Sequence, residues 1–159
     1  MKALTLIFTF SIIVVFSQVT PTMVTRDKPQ INQPSMLNDI NSQSSSCNYL
    51  VTIKTSCDSP LNTTDQIDIV FGDADGSEVF SPRLDEPDSG AFEQCTTVSF
   101  EIEGKCLNKI CKLYLYRRGS DGWLPELVTA YDYLALPVPF YYNTDIPDDG
   151  VGYGFDYCA

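Results

Sequence analysis

The stretch Cys47-Asn48-Tyr49-Leu50-Val51-Thr52-Ile53-Lys54-Thr55-Ser56-Cys57 sets Tyr49, Val51 and Ile53 in alternation with polar Thr52 and Lys54. Successive side chains of a strand point to opposite faces, so a period of two marks a strand with one face on a core and the other in water. The same alternation returns where Val98, Phe100 and Ile102 interleave with Ser99, Glu101 and Glu103, and again at Ile67, Ile69 and Phe71. Beyond Phe71, Asp75-Gly76 supplies a hairpin turn in which glycine accepts a positive φ; Glu78-Val79-Phe80 follows and Pro82 stops it. Further strand-like runs cover Leu113 to Arg117, Leu124 to Tyr131, Leu136 to Tyr142 and Gly152 to Tyr157. With no competing helical period, and with Gly, Pro, Asp and Asn between the runs, the pattern predicts an all-β, eight-stranded antiparallel β-sandwich in preference to a barrel.

The flank before this region differs in kind. Met1 and Lys2 precede Ala3 to Phe16, a run of 14 mostly apolar residues broken only by Thr5, Thr9 and Ser11. A bilayer core needs roughly 20 apolar residues, whereas a secretory signal needs roughly 7 to 15 and a small residue before the cut. Residues 1–17 are therefore expected to be a signal peptide cleaved after Ser17, with no later transmembrane segment. Residues 18–46 are rich in Gln, Asn, Ser and Thr, contain Pro21, Pro29 and Pro34, and hold no apolar period. They read as a flexible polar leader, because such a composition buries too little surface to offset backbone entropy. Residues 47–159 remain as one domain.

Cys47, Cys57, Cys95, Cys106, Cys111 and Cys158 all lie in that domain. An even set in a chain routed to an oxidising compartment favours three disulfides, whereas zinc needs CxxC knuckles or histidines, and neither occurs. Six cysteines allow about 15 pairings. The expected scheme joins Cys106 to Cys111 across a short turn and Cys47 to Cys158 if the first and last strands are neighbours, leaving Cys57 with Cys95. Asn62-Thr63-Thr64 forms a sequon in a polar loop, which makes Asn62 a glycosylation candidate.

Composition narrows the chemistry. The 159 residues contain no histidine, which excludes Ser-His-Asp and Cys-His nucleophile pairs, HExxH zinc sites and His-ligated iron. The formal charge is −11. A nucleic-acid partner is not expected, since phosphate recognition needs clustered cations. Residues 47–159 hold 19 acidic and 7 basic side chains, so the folded region carries the acidity.

The segments CNYLVTIKTSC (47 to 57), DQIDIVFGDADG (65 to 76), SPRLD (81 to 85), FEQC (92 to 95), CKLYLYRRGSDGWLPE (111 to 126), FYYNTDIP (140 to 147) and GYGFDYC (152 to 158) resemble the plant embryo-specific protein 3 family. That family is similar to the PLAT/LH2 domain, a β-sandwich also attached to lipoxygenases and lipases. The resemblance implies a stand-alone, non-catalytic monomer, secreted to the plant apoplast or cell wall, that binds a lipid surface or an extracellular protein. The alternative is a structural or interaction protein of the extracellular or seed matrix with no lipid role. The chain departs from the family pattern at Gly152, where an aromatic usually precedes the last Tyr-Gly-Phe.

Some PLAT domains bind calcium in loops, and calcium takes six to eight hard oxygens. The resemblance therefore makes calcium an optional cofactor, with Asp73 and Asp75 in one loop, Asp85, Glu86 and Asp88 in the next, and Asp145, Asp148 and Asp149 near the carboxyl terminus as candidates. A solvated turn explains the first two as well, and Gly76 stands at the wrong loop position for an EF-hand. Trp123 is either a membrane probe at a loop tip or a core residue opening a strand, and its motif favours the core. Lys105, Lys109, Lys112, Arg117 and Arg118 form a basic run against the overall sign, read as a solvated hairpin or as a partner contact. Glycosidase chemistry needs only two carboxylates, but Glu101 and Glu103 fall on the outward face of a strand, and no enzyme activity is expected. The tyrosines, including Tyr114, Tyr116, Tyr141 and Tyr142, are expected to fill the core and its rim, with sugar stacking a lesser reading.

Overall fold

The computed structural model describes residues 21–29, 46–84, 86 and 89–158. The expected signal peptide and its cleavage point lie outside the described residues, as do most of the leader and Asp85 and Asp88. Among the described residues no helix is long and apolar enough to cross a membrane. Nine strands follow in order among the described residues: β1 (Val24–Asp27), β2 (Ser46–Thr55), β3 (Gln66–Gly72), β4 (Glu78–Ser81), β5 (Thr97–Lys105), β6 (Lys112–Arg118), β7 (Pro125–Asp132), β8 (Val138–Tyr141) and β9 (Val151–Asp156).

The strands make two antiparallel sheets, one ordered β1-β9-β6-β3-β4 and the other β5-β2-β7-β8. Alternation decides what lies between them. Tyr49, Val51 and Ile53 from β2, Ile67, Ile69 and Phe71 from β3, Leu113 and Leu115 from β6, and Val128 and Ala130 from β7 are sealed into one core. The all-β sandwich is thus as expected.

Three expectations are corrected. First, the leader contains a strand: β1 pairs antiparallel with β9, in a register that sets Val24 opposite Gly154 and Asp27 opposite Val151. Arg26 of this strand and Lys28 just beyond it also lie over a second apolar cluster, Val70, Tyr114 and Tyr116 with Phe80 against them. Arg26 lies 4.9 Å over the Tyr114 ring and Lys28 5.7 Å over that of Phe80. Arg26 also bridges Glu78 at 2.7 Å, and Lys28 pairs with buried Asp68. Four mostly polar residues therefore become a strand through what they cover, a signal absent from their own pattern.

Second, the eighth strand begins at Val138 rather than Leu136, because the ladder to β7 ends at the Ala130–Val138 pair and residues 133–137 form the loop before it. Third, the disulfides are Cys47–Cys106, Cys57–Cys95 and Cys111–Cys158, with Cα separations of 4.9, 4.4 and 5.1 Å. Only the Cys57–Cys95 pairing agrees with expectation. The Cys47–Cys158 pairing fails because β2 and β9 sit in different sheets. Strand neighbours explain the actual bonds: Cys47 faces Gly104 across the β2/β5 ladder, two residues from Cys106, and Cys111 and Cys158 flank the β6/β9 pair in which Lys112 faces Asp156.

Gly152 has a steric reason. A Cβ there would stand 2.4 Å from the Tyr116 ring, so the tyrosine on β6 fills the place of a side chain on β9.

Candidate functional site

One end of the sandwich gathers the β3/β4 hairpin, residues 106–111 between β5 and β6, and residues 133–137 between β7 and β8. Asp73 pins the first two together. It is buried, and its carboxylate accepts the backbone N–H groups of Asp75 at 3.0 Å, Ser77 at 2.9 Å and Asn108 at 3.1 Å. Burial alone would raise this carboxyl, but those three donors, with Lys112 nearby, hold it below the usual carboxylate range. The Tyr49 hydroxyl fastens the other side of the 106–111 segment, donating to Lys105 O at 2.8 Å and accepting from Leu107 N at 2.7 Å. With Cys106 and Cys111 each in a disulfide, Lys109 rides on a tightly held segment.

Beside it the β7–β8 loop is apolar and projects into water. Leu134 is 97% exposed, Leu136 87% and Tyr133 62%. An Asp132 oxygen accepting Leu134 N–H at 2.8 Å shapes the turn. Between loop and segment runs a groove bounded by Lys109, Ile110, Leu136 and Val138, with adjoining recesses of ≈ 180 and ≈ 360 Å³. Tyr133, Leu134, Ala135 and Leu136 thus form a contiguous apolar tip open to solvent. The sequence reading missed it because Leu136 was counted into a strand. The available signal was Tyr133-Leu134-Ala135-Leu136, four apolar residues without polar alternation, closed by Pro137.

The expected site residues are otherwise dispersed. Trp123 is fully buried, donates from Nε1 to Thr55 Oγ1 at 3.1 Å and lies with its ring centroid 5.0 Å from that of Phe92, so it is a core residue and not a membrane probe. The basic run does not form one surface. Arg117 is buried on Asp65, donating also to the carbonyls of Ile146 and Gly119, and Lys112 bridges Glu78 at 3.1 Å. Lys105, Lys109 and Arg118 remain exposed.

Among the described residues no group of three Asp, Glu, Cys or His side chains is placed to hold a metal ion. Asp73 is spent on backbone N–H groups, Asp75 accepts from Asn108 Nδ2, Asp145 from Trp123 N, and Asp149 from Val151 N and the Tyr153 hydroxyl. Asp148 and Glu86 are exposed. Tyr114, Tyr116 and Tyr142 are buried while Tyr141 is open to solvent. Asn62 is exposed, and the backbone N–H and hydroxyl of Thr64 both donate to Asp121.

Comparison with known proteins agrees with this architecture. The family described as Embryo-specific protein 3 (ATS3) matches residues 35–158. The Arabidopsis thaliana embryo-specific protein ATS3B is 43% identical over 132 residues, covering 83% of this chain and 69% of its own length. ATS3A from the same plant is 49% identical over 112 residues, covering 70% of this chain and 62% of its own. Among solved structures, coral 8R-lipoxygenase superposes with a TM-score of 0.58 at 17% identity, over 69% of this chain and 17% of that one. The alpha toxin of Clostridium absonum gives 0.55 at 17% identity, over 75% and 33%. At that identity the structural likeness speaks to fold, and it is to a PLAT-like sandwich occupying a small part of a lipoxygenase. The chain belongs to the embryo-specific protein 3 family.

Proposed function

We propose that this chain is a secreted, non-catalytic binding module that docks reversibly on lipid surfaces through its β7–β8 loop. The observation that carries the reading is the near-complete exposure of Leu134 and Leu136 on one loop tip. Burying an exposed leucine is worth roughly 1.5–3 kcal/mol. Two such side chains therefore supply a few kcal/mol, and about 4 kcal/mol corresponds to a millimolar dissociation constant. Docking is accordingly weak, and the formal charge of −11 directs it to neutral rather than anionic lipid. Three disulfides support an oxidising, extracellular destination, and exposed Asn62 is open to glycosylation there. Calcium is not invoked in this reading, since among the described residues no group of three Asp, Glu, Cys or His side chains is placed to hold a metal ion.

Co-sedimentation with phosphatidylcholine vesicles tests it. The wild-type protein is expected to pellet with vesicles and the Leu134→Asp/Leu136→Asp variant to lose at least tenfold in bound fraction. Equal sedimentation of the two, or none by the wild type, overturns the reading and favours a matrix protein with no lipid role.

A further inference from the structure

The groove beneath the loop shares Leu136 with the loop tip and is otherwise lined by other residues. Its larger recess, ≈ 360 Å³, is lined by Lys109, Ile110, Leu136, Val138 and Tyr157 together with two prolines and the Cys111 disulfide. That volume sits at the low end of the about 300–1,000 Å³ typical of small-molecule sites, a size that suits one medium-length acyl chain. Ile110 is buried and belongs to the core, so the floor is rigid. Tyr157 is stacked on Phe140 with centroids 5.2 Å apart, which fixes one wall.

Lys109 is the single charged residue among those lining this recess. Arg26, Lys28, Lys54, Lys112 and Arg117 all have carboxylate partners, whereas Lys109 makes no ion pair among the described residues. Asp132 borders only the smaller recess, and Asp73 and Asp75 share with Lys109 a third recess on its other side; Asp132 Oδ1 is engaged by Leu134 N–H, Asp73 by three backbone N–H groups and Asp75 by Asn108 Nδ2, and none of the three lines the larger recess. An apolar slot for one chain, with one ammonium at its rim that makes no direct ion pair among the described residues, is complementary to an amphiphile carrying one negative headgroup.

We infer that the groove binds a single medium-chain fatty-acid anion, its carboxylate on Lys109 and its chain along Ile110, Leu136 and Val138. This deepens the lipid reading by naming a monomeric ligand, yet it stands or falls separately, because loop insertion into a bilayer does not need an occupied groove.

Calorimetric titration of the full chain with dodecanoate below its micellar concentration, alongside dodecanol, provides the test. Saturable one-to-one binding of dodecanoate is expected, at least tenfold tighter than dodecanol, with that preference lost in Lys109→Ala. The Val138→Trp variant, which fills the slot from an edge strand, is expected to lose both ligands while keeping the wild-type melting profile; if it misfolds, Lys109→Ala alone decides through the acid-to-alcohol ratio. No saturable binding, equal affinity for acid and alcohol, or a preference that survives Lys109→Ala overturns the inference. Vesicle binding that persists in any of those cases leaves the loop reading intact.

Discussion

At the scale of single residues, burial and pairing decide which charges matter. Arg117 and Asp65 form a buried ion pair at the opposite end of β3 from Asp73, and Asp65 also accepts the N–H groups of Asp121 and Gly122 at 3.1 Å each. Removing one partner strands the other in a low dielectric, so Arg117→Ala is expected to cost about 3–5 kcal/mol in urea unfolding; a loss under about 1 kcal/mol, the value typical of an exposed pair, contradicts this. The pH dependence follows from the same logic. Burial opposes ionisation of Asp68, but Gln66, Lys28 and the Arg83 N–H outweigh it and hold the carboxyl low, as with Asp73. An unfolded aspartate binds its proton first as pH falls, so this stabilisation is intact above about pH 4 and drains away below it. Burial pushes the Tyr116 phenol up to about 12 and that of Tyr142 well above its usual 10. A raised phenol stabilises the fold fully below pH 10 and loses that contribution as pH rises towards 12. Calorimetry is expected to show a lower melting temperature at pH 11 than at pH 9, and identical values would contradict the burial of these rings.

At the scale of elements, β1 and the disulfides test the fold most sharply. Lys28→Ala leaves Asp68 with Gln66 and a backbone donor but no cation, and is expected to cost about 1–3 kcal/mol. A truncation beginning at residue 46 is expected to melt earlier than the longer chain; unchanged melting would mean that β1 contributes nothing. Cys111–Cys158 spans 47 residues, for which chain entropy predicts about 4 kcal/mol, so Cys111→Ser/Cys158→Ser is expected to lower stability by that order. Non-reducing peptide mapping should recover Cys47 with Cys106, and a Cys106–Cys111 peptide would refute the strand order. These elements also show where sequence reading stops. Alternation in β2, β3 and β5 is local and was legible, as was the hairpin at Gly76, whose φ is +84°. The assignment of β2 and β9 to different sheets is a long-range fact that no period contains, and the cysteine pairing went wrong with it. Strand β1 is likewise made by its partners, β9, Glu78 and the Tyr114 ring, rather than by its own residues.

At the scale of the whole molecule, the absence of histidine and the net negative charge accord with the proposal of a small, apolar working surface. Trp123 shows how a motif misleads: an aromatic within Gly-Ser-Asp-Gly-Trp-Leu-Pro-Glu reads equally as a probe or a core residue until its neighbours Thr55 and Phe92 are known. The loop that does project was hidden because Leu136 suits a strand as well as a tip, and Pro137 alone marked the break. Since Trp123 is the only tryptophan and is sealed in the core, the protein suits a direct optical test. A Leu134→Trp variant mixed with phosphatidylcholine vesicles brominated in the acyl chains should show a blue-shifted, quenched signal from the added indole while Trp123 emission stays constant. An added indole whose emission is unchanged at saturating vesicle concentration would contradict the central claim that the β7–β8 loop enters lipid.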